Sequence, residues 1–137
     1  MQLTKQQAEA IKRFESVGYV EIDAPRRSGK TFMIREYIKA NPKKLFGIYT
    51  ENYRQFKQQY EDLKNATYMD NLSSDKKLSV VVGDEKFIKS DKPTMIVRTS
   101  RALFWGIDNI KTKELSNFKK DLDKNLYNQE FKKYENI

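Results

Sequence analysis

The chain has 137 residues, with 27 Lys and Arg against 19 Asp and Glu, a formal net charge of +8, and neither cysteine nor histidine. The missing residues exclude disulfides, thiol chemistry, ordinary zinc sites and histidine acid–base catalysis, which leaves carboxylates, lysine, arginine, hydroxyls and a bound metal ion as chemical resources. No apolar run is long enough to span a membrane and none follows a basic start near Met1, so a soluble, cytoplasmic protein with no membrane partner is expected. The length suits one compact domain over 1–137. The positive charge favours phosphate-rich partners through counterion release, although a solvated lysine surface has the same composition.

In chain order, Thr4 with Gln7 forms a capping box, and Ile11 and Phe14 follow at helical spacing, which predicts a first helix ending near Gly18. Residues 19–23 alternate and are rich in strand formers. The segment Ala24-Pro25-Arg26-Arg27-Ser28-Gly29 then leads into a second helix from Lys30, which Asn41 and Pro42 stop. Residues 45–49 give a second strand, and Tyr53, Phe56, Tyr60 and Leu63 recur at helical spacing. The polar stretch 66–77 reads as a loop or short irregular segment. Residues 78–83 and 94–99 give a third and fourth strand, and Leu115, Phe118, Leu122 and Leu126 trace one face of a C-terminal helix. Strands alternating with helices predict an α/β fold: a mostly parallel sheet of about four or five strands, with helices on both faces.

The segment Ala24 to Thr31 matches the phosphate-loop pattern at Gly29, Lys30 and Thr31, with Ala24 where a first glycine is usual. Its chemistry follows from the residue types. A glycine lets backbone wrap close to phosphate, successive N–H groups at a helix N-terminus favour negative charge, Lys30 reaches the β- and γ-phosphates, and Thr31 places its hydroxyl on Mg2+. The strand before and helix after are the context this motif needs. Asp84 and Glu85, at the end of an apolar strand, supply what such a loop lacks: Asp84 for the metal and Glu85 as general base toward water. An acidic strand-to-turn cap is the plain alternative.

Taken together, Leu3-Thr4-Lys5-Gln6-Gln7, the Ala24 to Thr31 loop, Val81-Val82-Gly83-Asp84-Glu85 and Arg98-Thr99-Ser100-Arg101 resemble, in order, motifs of the ATPase domain of phage large terminase proteins and of superfamily 2 helicases. The resemblance covers most of the chain to about Trp105. It implies a three-layer αβα P-loop NTPase fold of RecA-like type, with the fourth strand between the first and third in a spatial order 1-4-3-2. By position, Gln7, or Gln6 in the other register, resembles the adenine-contacting glutamine. Arg26 or Arg27 resembles the extra arginine of terminase loops, and Thr99 or Ser100 the polar motif that senses γ-phosphate.

The expected activity is Mg2+-dependent ATP hydrolysis, coupled to nucleic acid and to DNA above all, in a helicase-like or packaging-like motor or accessory. The relatives' second lobe or nuclease domain does not fit in 137 residues. An arginine finger would then come from a neighbouring copy in a homo-oligomer or from a larger motor complex, with Arg98 and Arg101 as candidates to donate one. Lysines along 111–120 and the aromatics of 53–60 are candidates to touch nucleic acid, with solvated and core faces as the alternative. A competing reading is a nucleotide-gated regulatory protein with little hydrolysis of its own. A small-molecule kinase is disfavoured because no arginine-rich lid is visible.

Overall fold

The computed structural model describes residues 2–70, 77–101 and 103–108. Helix α1 (Lys5–Val17) begins at the expected capping box: Gln7 N donates to Thr4 Oγ1 at 3.2 Å and Thr4 N to Gln7 Oε1 at 2.9 Å. It ends at Gly18, whose φ of 80° turns the chain into β1 (Tyr19–Ala24). There follow α2 (Lys30–Ala40), β2 (Phe46–Tyr49), α3 (Tyr53–Tyr60), β3 (Ala66–Met69), β4 (Val80–Asp84), β5 (Thr94–Thr99) and β6 (Gly106–Asp108).

The strands form one sheet in the order β3-β2-β4-β5-β1-β6. All pairs are parallel except β1 with β6. The strand at 94–99 lies between those at 19–24 and 80–84, the order implied by the resemblance. Two strands differ from expectation. The start of the 66–77 stretch is β3, because Ala-Thr-Tyr-Met pairs in parallel with β2 and drops Met69 into the core. The other is β6, three residues long and paired only at one edge of β1.

Side chains alternate faces along each strand, which sorts the core into two clusters. On one face Val20, Ile22, Phe46, Ile48, Val80, Val82, Met95 and Val97 pack against Ala10 and Phe14 of α1, Met33, Ile34, Tyr37 and Ile38 of α2, and Phe56 and Tyr60 of α3. On the other face Tyr19, Met69, Val81 and Ile96 pack with Leu78 and Ile88. None of the three described helices contributes to this second cluster. Helices on both faces were expected. Among the described residues they cover one face, and the helix expected through Leu115, Phe118, Leu122 and Leu126 lies outside the described residues.

The parallel register brings the carboxyl ends of β1, β4 and β5 to one edge, with Ala24 opposite Thr99 and Asp84 opposite Val97. In open α/β sheets this is the edge at which ligands bind. Helix α3 is pinned beside it by Arg35 of α2, which donates to Gln59 O at 2.7 Å and forks onto both carboxylate oxygens of Asp62, each at 2.7 Å. Hydrogen bonding to Arg35 holds the Asp62 carboxyl down to about 2.

A depressed carboxylate contributes stability above its ordinary pKa and loses it as pH falls through the folded value. Asp62 is solvent-exposed, so salt screens the pair. Asp62→Asn should therefore melt slightly below the wild type at pH 7 in low salt. The two melting curves should converge in 1 M NaCl, and again between about pH 4 and pH 2.

Candidate functional site at the carboxyl edge of the sheet

The loop between β1 and α2 is shaped by two left-handed residues, Arg27 at φ 60° and Gly29 at φ 89°. A Cβ at Gly29 would also lie 2.5 Å from Gln7 Nε2, so a side chain there would displace that amide. That amide donates to Gly29 O at 3.0 Å while Gln7 Oε1 holds Thr4 N, so both ends of the Gln7 side chain are engaged and the residue is 3% exposed. Three more donors close on loop carbonyls. Lys30 Nζ reaches Pro25 O at 2.8 Å and Ala24 O at 3.4 Å, Ser28 Oγ reaches Pro25 O at 2.6 Å, and Trp105 Nε1 reaches Ser28 O at 3.2 Å. With its carbonyls bound in this way, the loop delivers the chain to Gly29, the N-cap of α2, where no side chain makes a capping hydrogen bond. The first N–H groups of an α-helix have no partner within the helix, and its N-terminus carries a partial positive charge. Arg26 and Arg27 stand exposed on the same loop.

Across from it lies an acidic corner. Asp84, 3% exposed at the end of β4, accepts a 2.5 Å hydrogen bond from the phenol of Tyr60. Thr31 of α2 acts on the same phenol and opposes the rise in its pKa, so α2, α3 and β4 converge at this corner. Burial pushes the Asp84 carboxyl up to about 6, opposed by the Tyr60 hydrogen bond and by Lys30. Burial also raises the Tyr60 phenol well above its ordinary value. Desolvation lowers the Lys30 ammonium, against the pull of Glu85 and Asp84.

Glu85 follows at φ 63°, a left-handed conformation unusual for a residue with a side chain. Its N–H is tied to Val97 O at 2.9 Å, and its carboxylate accepts from Thr99 N at 2.9 Å and Thr99 Oγ1 at 2.5 Å. The turn is tight enough that a Cβ on Gly83 would lie 2.1 Å from Lys86 O.

These parts enclose a cleft of about 510 Å3. It is lined by Arg26, Arg27, Ser28, Gly29, Lys30 and Thr31 from the loop and α2, and by Asp84, Glu85 and Thr99 from the strand ends. Glu51, Gln55 and Gln59 complete it from the α3 side. Of the residues expected in a site, Ala24 and Pro25 take part through their carbonyls, as seats for Lys30. Gln7 does not line the cleft; it is a brace beneath Gly29, and a base-contacting role would require it to break both hydrogen bonds. Arg98, weighed as an arginine to be lent to a neighbour, is instead forked onto Asp23 across β1 and β5. Arg101 is exposed.

Tyr60 and Trp105, like the cleft-lining Glu51, Gln55 and Gln59, are not singled out by sequence. Tyr60 reads as one aromatic among several on a helical stripe, and nothing in that period marks the one that meets Asp84. Trp105 carries a signal in hindsight, as the single tryptophan of the chain beyond the fourth strand. No protein-family model, curated protein or solved structure matches the chain.

Removing the phenol leaves a buried carboxylate short of a donor, a change that costs about 1–3 kcal/mol. Tyr60→Phe should lower the free energy of denaturant unfolding by about that amount with the slope unchanged. In an Asp84→Asn background the loss should be smaller; strictly additive losses would show that the two groups do not couple.

Proposed function

We propose that the cleft binds the triphosphate of ATP with Mg2+ and that the chain hydrolyses it in concert with nucleic acid. The observation that carries the reading is the uncapped N-terminus of α2, entered through a left-handed Gly29 and flanked by Lys30, Arg26 and Arg27, directly across from Asp84 and Glu85. Helix N–H groups and cations on one wall suit a polyanion. The Thr31 hydroxyl at the start of α2 and the buried Asp84 carboxylate across the cleft suit the hard cation that accompanies it. Mg2+ is commonly held by one or two carboxylates, water and substrate phosphate. Thr31 and Asp84 are the residues that would hold the ion, and it would neutralise charge developing on the phosphate oxygens.

The protein's own part follows from its contacts. The Lys30 ammonium exchanges the carbonyls of Ala24 and Pro25 for the β- and γ-phosphates. Arg26 and Arg27 add positive charge at the mouth of the cleft. Glu85 would accept a proton from the attacking water, but its carboxylate is bonded to Thr99 and must let go of that residue first. Nucleotide contact with Thr99 would release it, which joins the base to the presence of substrate. A nucleic-acid partner, DNA above all, is supported by the charge of +8, and an oligomer or a larger complex would complete the site with an arginine.

The bond between Glu85 and Thr99 also favours a second reading, in which ATP is bound as a signal and turnover is slow until a partner frees the base. The test is nucleotide binding and steady-state hydrolysis with Mg2+, with and without single- and double-stranded DNA. Lys30→Ala should weaken ATP binding by roughly ten- to a hundredfold, the loss of a charged hydrogen bond. Glu85→Gln should keep binding and reduce hydrolysis by about 10²- to 10⁴-fold. ATP binding unchanged in Lys30→Ala would contradict the assignment, and tight binding without turnover under every condition would select the second reading.

A further inference from the structure

A second cavity, of about 350 Å3, is lined by Lys5, Gln6 and Glu9 of α1 and by Trp105 and Ile107 at β6. It shares no residue with the first cleft, yet the two are joined by one hydrogen bond. Ser28 lines the first cleft, and its carbonyl accepts the indole N–H of Trp105, which lines the second, at 3.2 Å. We propose that this cavity is the nucleobase subsite, in which the purine of the nucleotide stacks on Trp105 while its phosphates lie in the loop; the inference rests on the phosphate-binding reading of that loop.

The chemistry of the walls fits a purine. Trp105 and Ile107 are the apolar part of the lining, and the bond to Ser28 O ties the indole to the loop. A tryptophan face is a strong platform for a base because every base presents a π-surface. The rim is polar and supplied by the first turns of α1. Gln6 is exposed there, whereas Gln7, next along the helix, is turned inward under Gly29. A carboxamide can pair with the N6 and N7 edge of adenine, offering one donor and one acceptor at the right spacing. Glu9 shares its carboxylate with Arg13 at 3.1 Å and adds an acceptor for an exocyclic amine. Base recognition thereby moves from Gln7 to the pair Trp105 and Gln6, on an aromatic that no motif marks.

Because Trp105 is the only tryptophan of the chain, its fluorescence reports on its own site. The full chain is titrated with MgATP, MgGTP and inorganic tripolyphosphate, following fluorescence and, by calorimetry, affinity. ATP should quench Trp105 and tripolyphosphate should bind without quenching. Trp105→Leu should weaken ATP binding roughly tenfold and leave tripolyphosphate binding unchanged, while Trp105→Phe, which keeps a stacking face, should restore most of the loss. Gln6→Ala should narrow the preference for ATP over GTP. ATP binding no tighter than tripolyphosphate, or unaffected by Trp105→Leu, overturns the base subsite alone. Failure of both ligands to bind the wild-type chain overturns the phosphate-binding reading and the subsite with it.

Discussion

An α-helix that starts without a side-chain cap leaves its first N–H groups and its positive end to be satisfied by something else, and helix α2 starts in this way at Gly29. Much of the surrounding structure is arranged to hold that end open. Gly29 takes a left-handed conformation against Gln7, Arg27 takes another, and the loop carbonyls are bound by Lys30, Ser28, Gln7 and Trp105. Each of those donors comes from a different neighbourhood: α1, the loop itself, the first residue of α2 and the β6 segment. The loop is therefore fixed before any ligand arrives, which is the condition for recognising an anion at low entropic cost.

The acidic corner is held by the opposite means. A carboxylate at the end of a buried strand is costly in its ionised form, and Asp84 offsets that with the phenol of Tyr60. Glu85 adds backbone strain and a carboxylate already bonded to Thr99. Strain and enclosed charge at one edge of the sheet are tolerated because one face of that sheet is covered by apolar residues of three helices, with Arg35 locking α3 in place. The stability of the fold and the chemistry of the edge draw on the same contacts: Tyr60 is both a core residue and the partner of the acid.

Much of this was legible in the sequence, and the gaps have physical causes. The capping box at Thr4 and Gln7, the strand before the loop and the helix after it are local signals, and each is present. So is the meeting of Gly29, Lys30 and Thr31 with Asp84 and Glu85, because the motif and the strand order together dictate it. What local signals do not carry is tertiary pairing. Residues 66–69 look like loop by composition and become β3 only because β2 offers an edge. Gln7 serves α1 and the loop at once, so its role depended on how α1 packs. Arg98 reads as a surface charge until Asp23 is set opposite it in register.

The claim on which the account turns is that backbone N–H groups at the start of α2 receive phosphate. Amide chemical shifts of the isotope-labelled full chain, followed through a titration with inorganic pyrophosphate and Mg2+, test it directly. The account predicts saturable shifts concentrated in the amides of Arg27, Ser28, Gly29, Lys30 and Thr31, with smaller ones at Asp84 and Thr99. Shifts spread over the surface lysines and absent from those five amides would contradict it.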